Sequence, residues 1–216
     1  MAFDFKKEYT EFYLPPKKPQ IVNVPKMQFV AVRDKGNPND EDGEYKSALA
    51  VQYAVAYTIK MSKMGVHRIE GYYDFVVPPL EGFWWQVKNG NIVKGFDYSD
   101  KSSFNWISVI RLPDFVTQSE FDWAKEAAQK KKGLDCTCAE LLSIEEGECV
   151  QIMHTGSYDD EPATIKLMDD FALANGFELD FSESRLHHEI YLNDPRKTAP
   201  EKLKTVIRHP VKRAGA

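Results

Sequence analysis

No stretch of the chain approaches the ~20 consecutive apolar residues that a bilayer-spanning helix needs. The first residues, Met1 to Lys7, hold no apolar core of an export signal. Cysteine is scarce: Cys136, Cys138 and Cys149 are too few, and odd in number, for a disulfide scaffold, so the reading is a cytoplasmic protein. A surplus of positive charge is also missing. Lys and Arg total 28 against 33 Asp and Glu, a net charge of −5, which gives nucleic acid no bulk attraction. The glycine patterns of dinucleotide sites, phosphate loops and nucleophile elbows are absent. Cys136 and Cys138 are spaced too tightly for zinc and have no second pair. His187 and His188 are neighbours on one strand, so their rings point to opposite faces and cannot share a metal. Neither a metal nor a cofactor is expected. Cys149, in an apolar strand, reads as a buried inert thiol, and Lys130 to Lys132 as a solvated helix end.

What remains is an aromatic-rich chain of 216 residues, 12% Phe, Trp and Tyr, with an internal repeat. Residues 29–41 and 149–161 each run from a β-branched strand through a Gly turn, Gly36 or Gly156, into acidic residues that open a helix. Residues 68–78 align with 185–195, and residues 109–113 with 206–210, in the same order. The extra residues of the first half fall between Pro78 and Val109, in a region holding Trp84, Trp85 and a loop over 88–100. The expected architecture is α/β of the α+β kind, with mainly antiparallel sheets. Tandem strand-helix-strand-strand modules are related by a pseudo-twofold axis, with a ligand groove at their seam. One domain spans 1–216, built of a first module (21–113), a helical linker (117–132) and a second module (139–212).

Pockets favour such seams. On the strand around Glu189, the side chains of His187, Glu189 and Tyr191 face one way and those of His188, Ile190 and Leu192 the other. The alignment makes Tyr72 the repeat partner of Glu189, and Asp74 that of Tyr191. A Trp not spent on the core suits ligand stacking, which brings in Trp84 and Trp85. Tyr53 and Tyr57, four apart on a helix, share a face. Phe171, on the second helix, is either a further wall or a core residue.

The run His188-Glu189-Ile190-Tyr191-Leu192-Asn193-Asp194-Pro195-Arg196-Lys197, with residues 201–211 behind it and 154–165 before it, resembles the GyrI-like small-molecule-binding family. Residues 13–19 resemble its stand-alone members. The resemblance implies a tandem of strand-helix-strand-strand modules and a groove for bulky aromatic or cationic compounds around a strand glutamate, here Glu189. With no helix-turn-helix before Ile21, direct DNA binding is not expected; a gyrase-type partner is implied by family analogy only. The chain is similar to stand-alone members that hydrolyse cyclopropane-bearing DNA-alkylating compounds of the yatakemycin and CC-1065 type with an aromatic cage. On that reading the protein is a detoxifying hydrolase. Glu189 orients water, Tyr53, Tyr57 or Tyr191 donates to the released oxygen, and Tyr72, Trp84, Trp85, Phe171 and Tyr191 contact the substrate. The alternative is a non-catalytic protein that sequesters hydrophobic or cationic drugs.

Overall fold

The computed structural model describes residues 2–93, 95–97 and 100–215. Two short helices, α1 (Phe5–Glu8) and α2 (Thr10–Tyr13), precede β1 (Gln20–Val24), β2 (Met27–Lys35) and the long helix α3 (Glu44–Met61). Then come β3 (Leu80–Trp85), β4 (Val87–Lys88), β5 (Asn91–Ile92) and β6 (Asn105–Arg111). Helix α4 (Gln118–Lys132) leads to β7 (Glu140–Ile144), β8 (Gly147–Thr155) and α5 (Glu161–Ala174). The chain ends with β9 (Phe177–Leu179), β10 (His187–Tyr191) and β11 (Lys204–Arg213). Helix α4 starts where the Thr117 side chain accepts the Glu120 amide and stops at Gly133, whose φ of 68° is left-handed. Pro162, in the first turn of α5, has no amide to leave unpaired there.

Among the described residues one antiparallel sheet runs β1-β8-β11-β10-β3-β6-β2-β7, with β9 added to β11. The order is symmetric about its middle. Strand β3 mirrors β10, β6 mirrors β11, β2 mirrors β8, and β7 mirrors β1. The outermost strands are exchanged: β1 of the first half closes the second half on β8, and β7 of the second half closes the first on β2. Helix α3 lies on β2 and β6, and α5 on β8 and β11, so both helices cover one face on either side of the central β3–β10 pair. On the opposite face, the N-terminal segment hydrogen-bonds to the sheet through the Glu11, Phe12 and Pro16 carbonyls.

The register corrects the repeat alignment. Ser108 pairs with both Val32 and Gly82, while Ile207 pairs with both Ile152 and Glu189. The counterpart of Glu189 is therefore Gly82, and these two also stand directly opposite each other across the axis. By the same ladders Trp84 is the counterpart of Tyr191. Residues 105–111 fall on 204–210, two positions away from the alignment read in the sequence. Residues 68–78 form no ladder strand: Gly71 turns with φ 71°, and Pro78 and Pro79, which have no amide to donate, precede β3. In the loop over 88–100, Asn89 and Gly90 take φ of 53° and 79° and join β4 to β5 in a tight turn. Lys94, Tyr98 and Ser99 of that loop lie outside the described residues.

Candidate functional site

Between α3 and α5, above the β3–β10 pair, a cavity of about 1010 Å³ opens to solvent. Its position follows from the fold. The two helices are held apart by the symmetry axis, and the sheet beneath them is bare where they do not meet. Strand β10 supplies Glu189 and Tyr191, β3 supplies Leu80 and Trp84, and α3 supplies Tyr45, Leu49 and Tyr53. Phe96 and Phe104 come from the first-half insertion, and Tyr158 and Glu161 from the entry to α5.

Symmetry is broken at the axis to make the floor. Gly82 has no side chain, and the Trp84 indole folds over it: a β-carbon there would stand 2.6 Å from Trp84 Nε1. The indole N–H donates to the Tyr191 hydroxyl at 2.9 Å, which donates to Glu189 Oε2 at 2.7 Å. His187 Nε2 lies 2.8 Å from Glu189 Oε1. Burial raises the Glu189 carboxyl, but the hydrogen bonds of His187, Tyr191 and Glu161 outweigh it and hold the group below its ordinary value, as a carboxylate. Glu161 goes the other way. Burial and then the Glu189 charge push it well above the usual carboxylate range, so it keeps its proton. One Glu161 oxygen is buried with no donor facing it, as a carboxylic acid permits. His187 is held below its ordinary value by burial, against the pull of Glu189. Burial and the Glu189 charge push Tyr158 up to about 12 and raise Tyr191 well above the ordinary phenol value, so both keep their hydroxyl protons. The floor is thus one anion beneath neutral donors and aromatic walls.

The structure brings Glu189, Tyr191, Trp84 and Tyr53 together at the cavity. Four other expected site residues lie elsewhere. Tyr72, in the loop before β3, donates to the Lys60 carbonyl at 2.6 Å and packs on Phe115. Trp85 alternates with Trp84 and therefore packs on the opposite face of β3. Phe171 sits against Val150, Ile152 and Met168 behind α5, which is its core reading. Tyr57 is one turn beyond Tyr53 on α3 and 50% exposed, past the rim. Tyr45, Phe96, Phe104, Tyr158 and Glu161 were missed. For Glu161 there was a signal, an acidic residue directly before Pro162 at a helix start; the others depend on contacts across the seam.

Among the described residues no group of three or more His, Cys, Asp or Glu is placed to hold a metal ion. No described helix is long and apolar enough to cross a membrane.

A duplicated sheet with a carboxylate-floored cavity on its axis defines a class of ligand-binding protein, and comparison with known proteins agrees. Residues 17–212 match the family described as GyrI-like small molecule binding domain. The chain belongs to that family. It is similar to an uncharacterised conserved protein of Listeria innocua, at 50% identity and TM-score 0.90, covering 98% of this chain and all of the other. A hydrolase encoded by lin2189 of Listeria innocua is 48% identical, with TM-score 0.89 over 98% of this chain and 100% of its own. The C-terminal domain of EcmrR shares the fold at 14% identity and TM-score 0.53, covering 91% of this chain and 98% of that domain. No curated protein sequence matches the chain.

Proposed function

We propose that the protein hydrolyses cyclopropane-bearing DNA-alkylating compounds and so protects the cell that makes it. The observation that carries the reading is an ionised Glu189 on the floor of a large aromatic cavity, with three donors fixing its orientation. A planar polycyclic substrate stacks between the aromatic walls. Water held by Glu189 attacks the strained ring carbon, and Glu189 takes its proton. The ring carbon–carbon bond breaks and its electron pair passes to the dienone oxygen, which becomes a phenolate. Tyr53 at the mouth, whose hydroxyl is raised by burial and by Tyr57, donates to that oxygen and recovers its proton from solvent. Ring strain and aromatisation supply most of the driving force. The hydrolase from Listeria innocua at 48% identity supports the reaction class.

A second reading has an observation of its own. A buried carboxylate beneath aromatic rings also attracts a hydrophobic cation. Mass spectrometry of a cyclopropanoid substrate incubated with a hundredth of an equivalent of protein separates the two. Complete conversion to the water adduct is expected; a bound fraction equal to the protein, with no adduct, would make the protein a sequestering one.

A further inference from the structure

Behind Glu189 lies a second row of groups to which the reaction above gives no part in proton transfer. His187 Nδ1 is 2.7 Å from His209 Nε2, and His209 Nδ1 is 2.7 Å from Asp169 Oδ1 on α5. The two rings are buried, while the Asp169 side chain keeps 21% exposure. A continuous hydrogen-bonded row therefore runs Glu189–His187–His209–Asp169, from the cavity floor to a partly exposed carboxylate on α5. We propose that this row is a proton relay that returns Glu189 to its anionic form while a ligand covers it. The proposal rests on the reading of Glu189 as the carboxylate that takes a proton from water.

Proton counting supports it. Three hydrogen bonds in a row need three protons, and two neutral imidazoles supply two. In one arrangement the third proton is on Glu189, which donates to Nε2 of His187, and each imidazole donates outward through Nδ1. In the other, Glu189 is ionised, His187 donates to it through Nε2, and His209 is an imidazolium donating to His187 and to Asp169. The first becomes the second by two short hops: one proton from Glu189 to His187 Nε2, one from His187 Nδ1 to His209 Nε2. The charge then faces the Asp169 carboxylate, and the proton leaves to solvent there. The released phenolate takes its own proton at the cavity mouth, so hydrolysis as a whole neither makes nor consumes protons.

The route matters because the Glu189 side chain is only 14% exposed, and that exposure is to the cavity. A flat ligand above it closes that way out. The other ionisable groups facing Glu189 are Glu161 and Tyr158 at the α5 entry, Tyr45 on α3 and Tyr191 on its own strand. All four hold their protons, so none takes one from Glu189 at neutral pH. His188 beside it points to the opposite face, toward Glu81 and Glu146.

Asp169→Asn tests the relay in the full chain, at a partly exposed helix position, with folding verified by circular dichroism. The Glu189 titration is followed by its carboxyl infrared band, assigned by loss in Glu189→Gln, in a Glu161→Gln background that removes the carboxyl sharing its proton. The His209 ring nitrogens are followed by NMR. Without the Asp169 charge, the proton returns to the cavity. The Glu189 titration should rise by about one pH unit or more, a tenfold change in proton affinity, and His209 should turn neutral. Asp169→Glu should restore both, and the turnover pH profile should move with them. An unchanged Glu189 titration and unchanged His209 nitrogens would overturn the relay, whether or not a substrate is hydrolysed. If Asp169→Asn does not fold, His209→Gln takes its place with the same expected rise. A titration that moves as expected, in a protein that converts no cyclopropanoid, would sink the hydrolase reading and leave the shared proton standing.

Discussion

Glu189 receives hydrogen bonds from His187 and Tyr191, and Glu161 shares its proton with it. A buried carboxylate so supplied is not the unpartnered charge that a glutamate in an aromatic pocket suggests. Glu189→Gln should therefore destabilise the protein, by about 1–3 kcal/mol, because the amide NH2 must face at least one of those donors. Hydrolysis in the same variant should fall by ~10²–10⁴-fold, the range for a lost general base. Activity should be level across neutral pH and fall only in acid, below the ordinary carboxylate range, because Glu189 is held below its usual value. A rate profile peaking near the histidine range would assign the base elsewhere. The two adjacent tryptophans give a matched pair. Trp84 lines the cavity and Trp85 lies on the other face, so a planar ligand should quench the fluorescence of Trp85→Phe and hardly that of Trp84→Phe. Trp84→Phe should also weaken binding, by about 0.5–1.5 kcal/mol for the altered stacking. Equal quenching in both variants would remove the indole from the wall.

At the scale of elements, β3 shows what sequence does and does not reveal. Its alternation places Trp84 and Trp85 on opposite faces, and the alternation of β10 puts His187, Glu189 and Tyr191 together; both periodicities are local and were legible. The pairing of β3 with β10 was not. Residues 68–78 resemble 185–195 in type, but the match sets Pro78 on Pro195 although Pro78 and Pro79 precede the strand, and only the ladder identifies Leu80 as the strand start. That displacement hid Gly82, the residue that makes room for the indole. Gly82→Ala tests its role directly. A methyl group 2.6 Å from Trp84 Nε1 must push the indole off the Tyr191 hydroxyl or bend β3, at a cost of about 1–3 kcal/mol. Ligand binding should weaken with it. A variant as stable as the parent, binding as tightly, would show that the floor has slack. Tyr45, Phe96 and Phe104 were illegible for a related reason: each reaches the cavity from outside the pseudo-symmetric frame or across it, where no spacing rule applies.

Across the whole molecule the two faces of the sheet have different tasks. The helix face carries the cavity; the opposite face carries a buried ionic cluster that ties the N-terminal segment down. Arg208 donates to Glu146 at 2.6 Å and to the Phe12 carbonyl at 3.1 Å, and His188 Nδ1 lies 3.0 Å from Glu146. Burial raises Glu146, yet Arg208 and His188 bring it down to about 2. A depressed carboxyl contributes stability that is complete above its ordinary value and is lost as pH falls through the folded one. The whole contribution is about 3 kcal/mol, lost progressively as pH falls below the ordinary value, with the loss complete only below about 2. For His188, burial works against the Glu146 and Glu81 charges, which win and raise it, so its share is complete below its ordinary value and fades as pH rises. Urea midpoints should therefore be highest between the ordinary carboxylate and histidine values. Glu146→Gln should flatten the acid limb and cost about 3–5 kcal/mol at neutral pH, by leaving Arg208 buried beside an amide.

The exchanged edge strands bind the halves more tightly than duplication alone would. Strand β1 belongs to the first half by sequence and to the second by pairing, and β7 the reverse, so neither half keeps its outer strand if the other unfolds. Arg208 adds a tie of the same kind, because Phe12 comes from the first half. Two halves so joined should unfold in one cooperative step. The residue distribution supplies separate probes. All four tryptophans, Trp84, Trp85, Trp106 and Trp123, precede residue 133, whereas His154, His187, His188 and His209 follow it. Tryptophan fluorescence thus reports the first half and the ring NMR signals of these four histidines the second, once the signal of His67, which stacks on Trp123 in the first half, is set aside. In a urea titration the two midpoints should coincide. Shortening the chain to begin after Val24 removes β1 and the Phe12 carbonyl together. It should lower both midpoints by the same amount, although the ladder it deletes, β1 on β8, lies in the second half; the Tyr13–Glu81 hydrogen bond and the Phe3–Phe75 bridge are lost with it from the first. If the histidine signals melted early and the tryptophans kept their midpoint, the halves would be independent, and the exchange of edge strands would be a packing detail with no hold on stability.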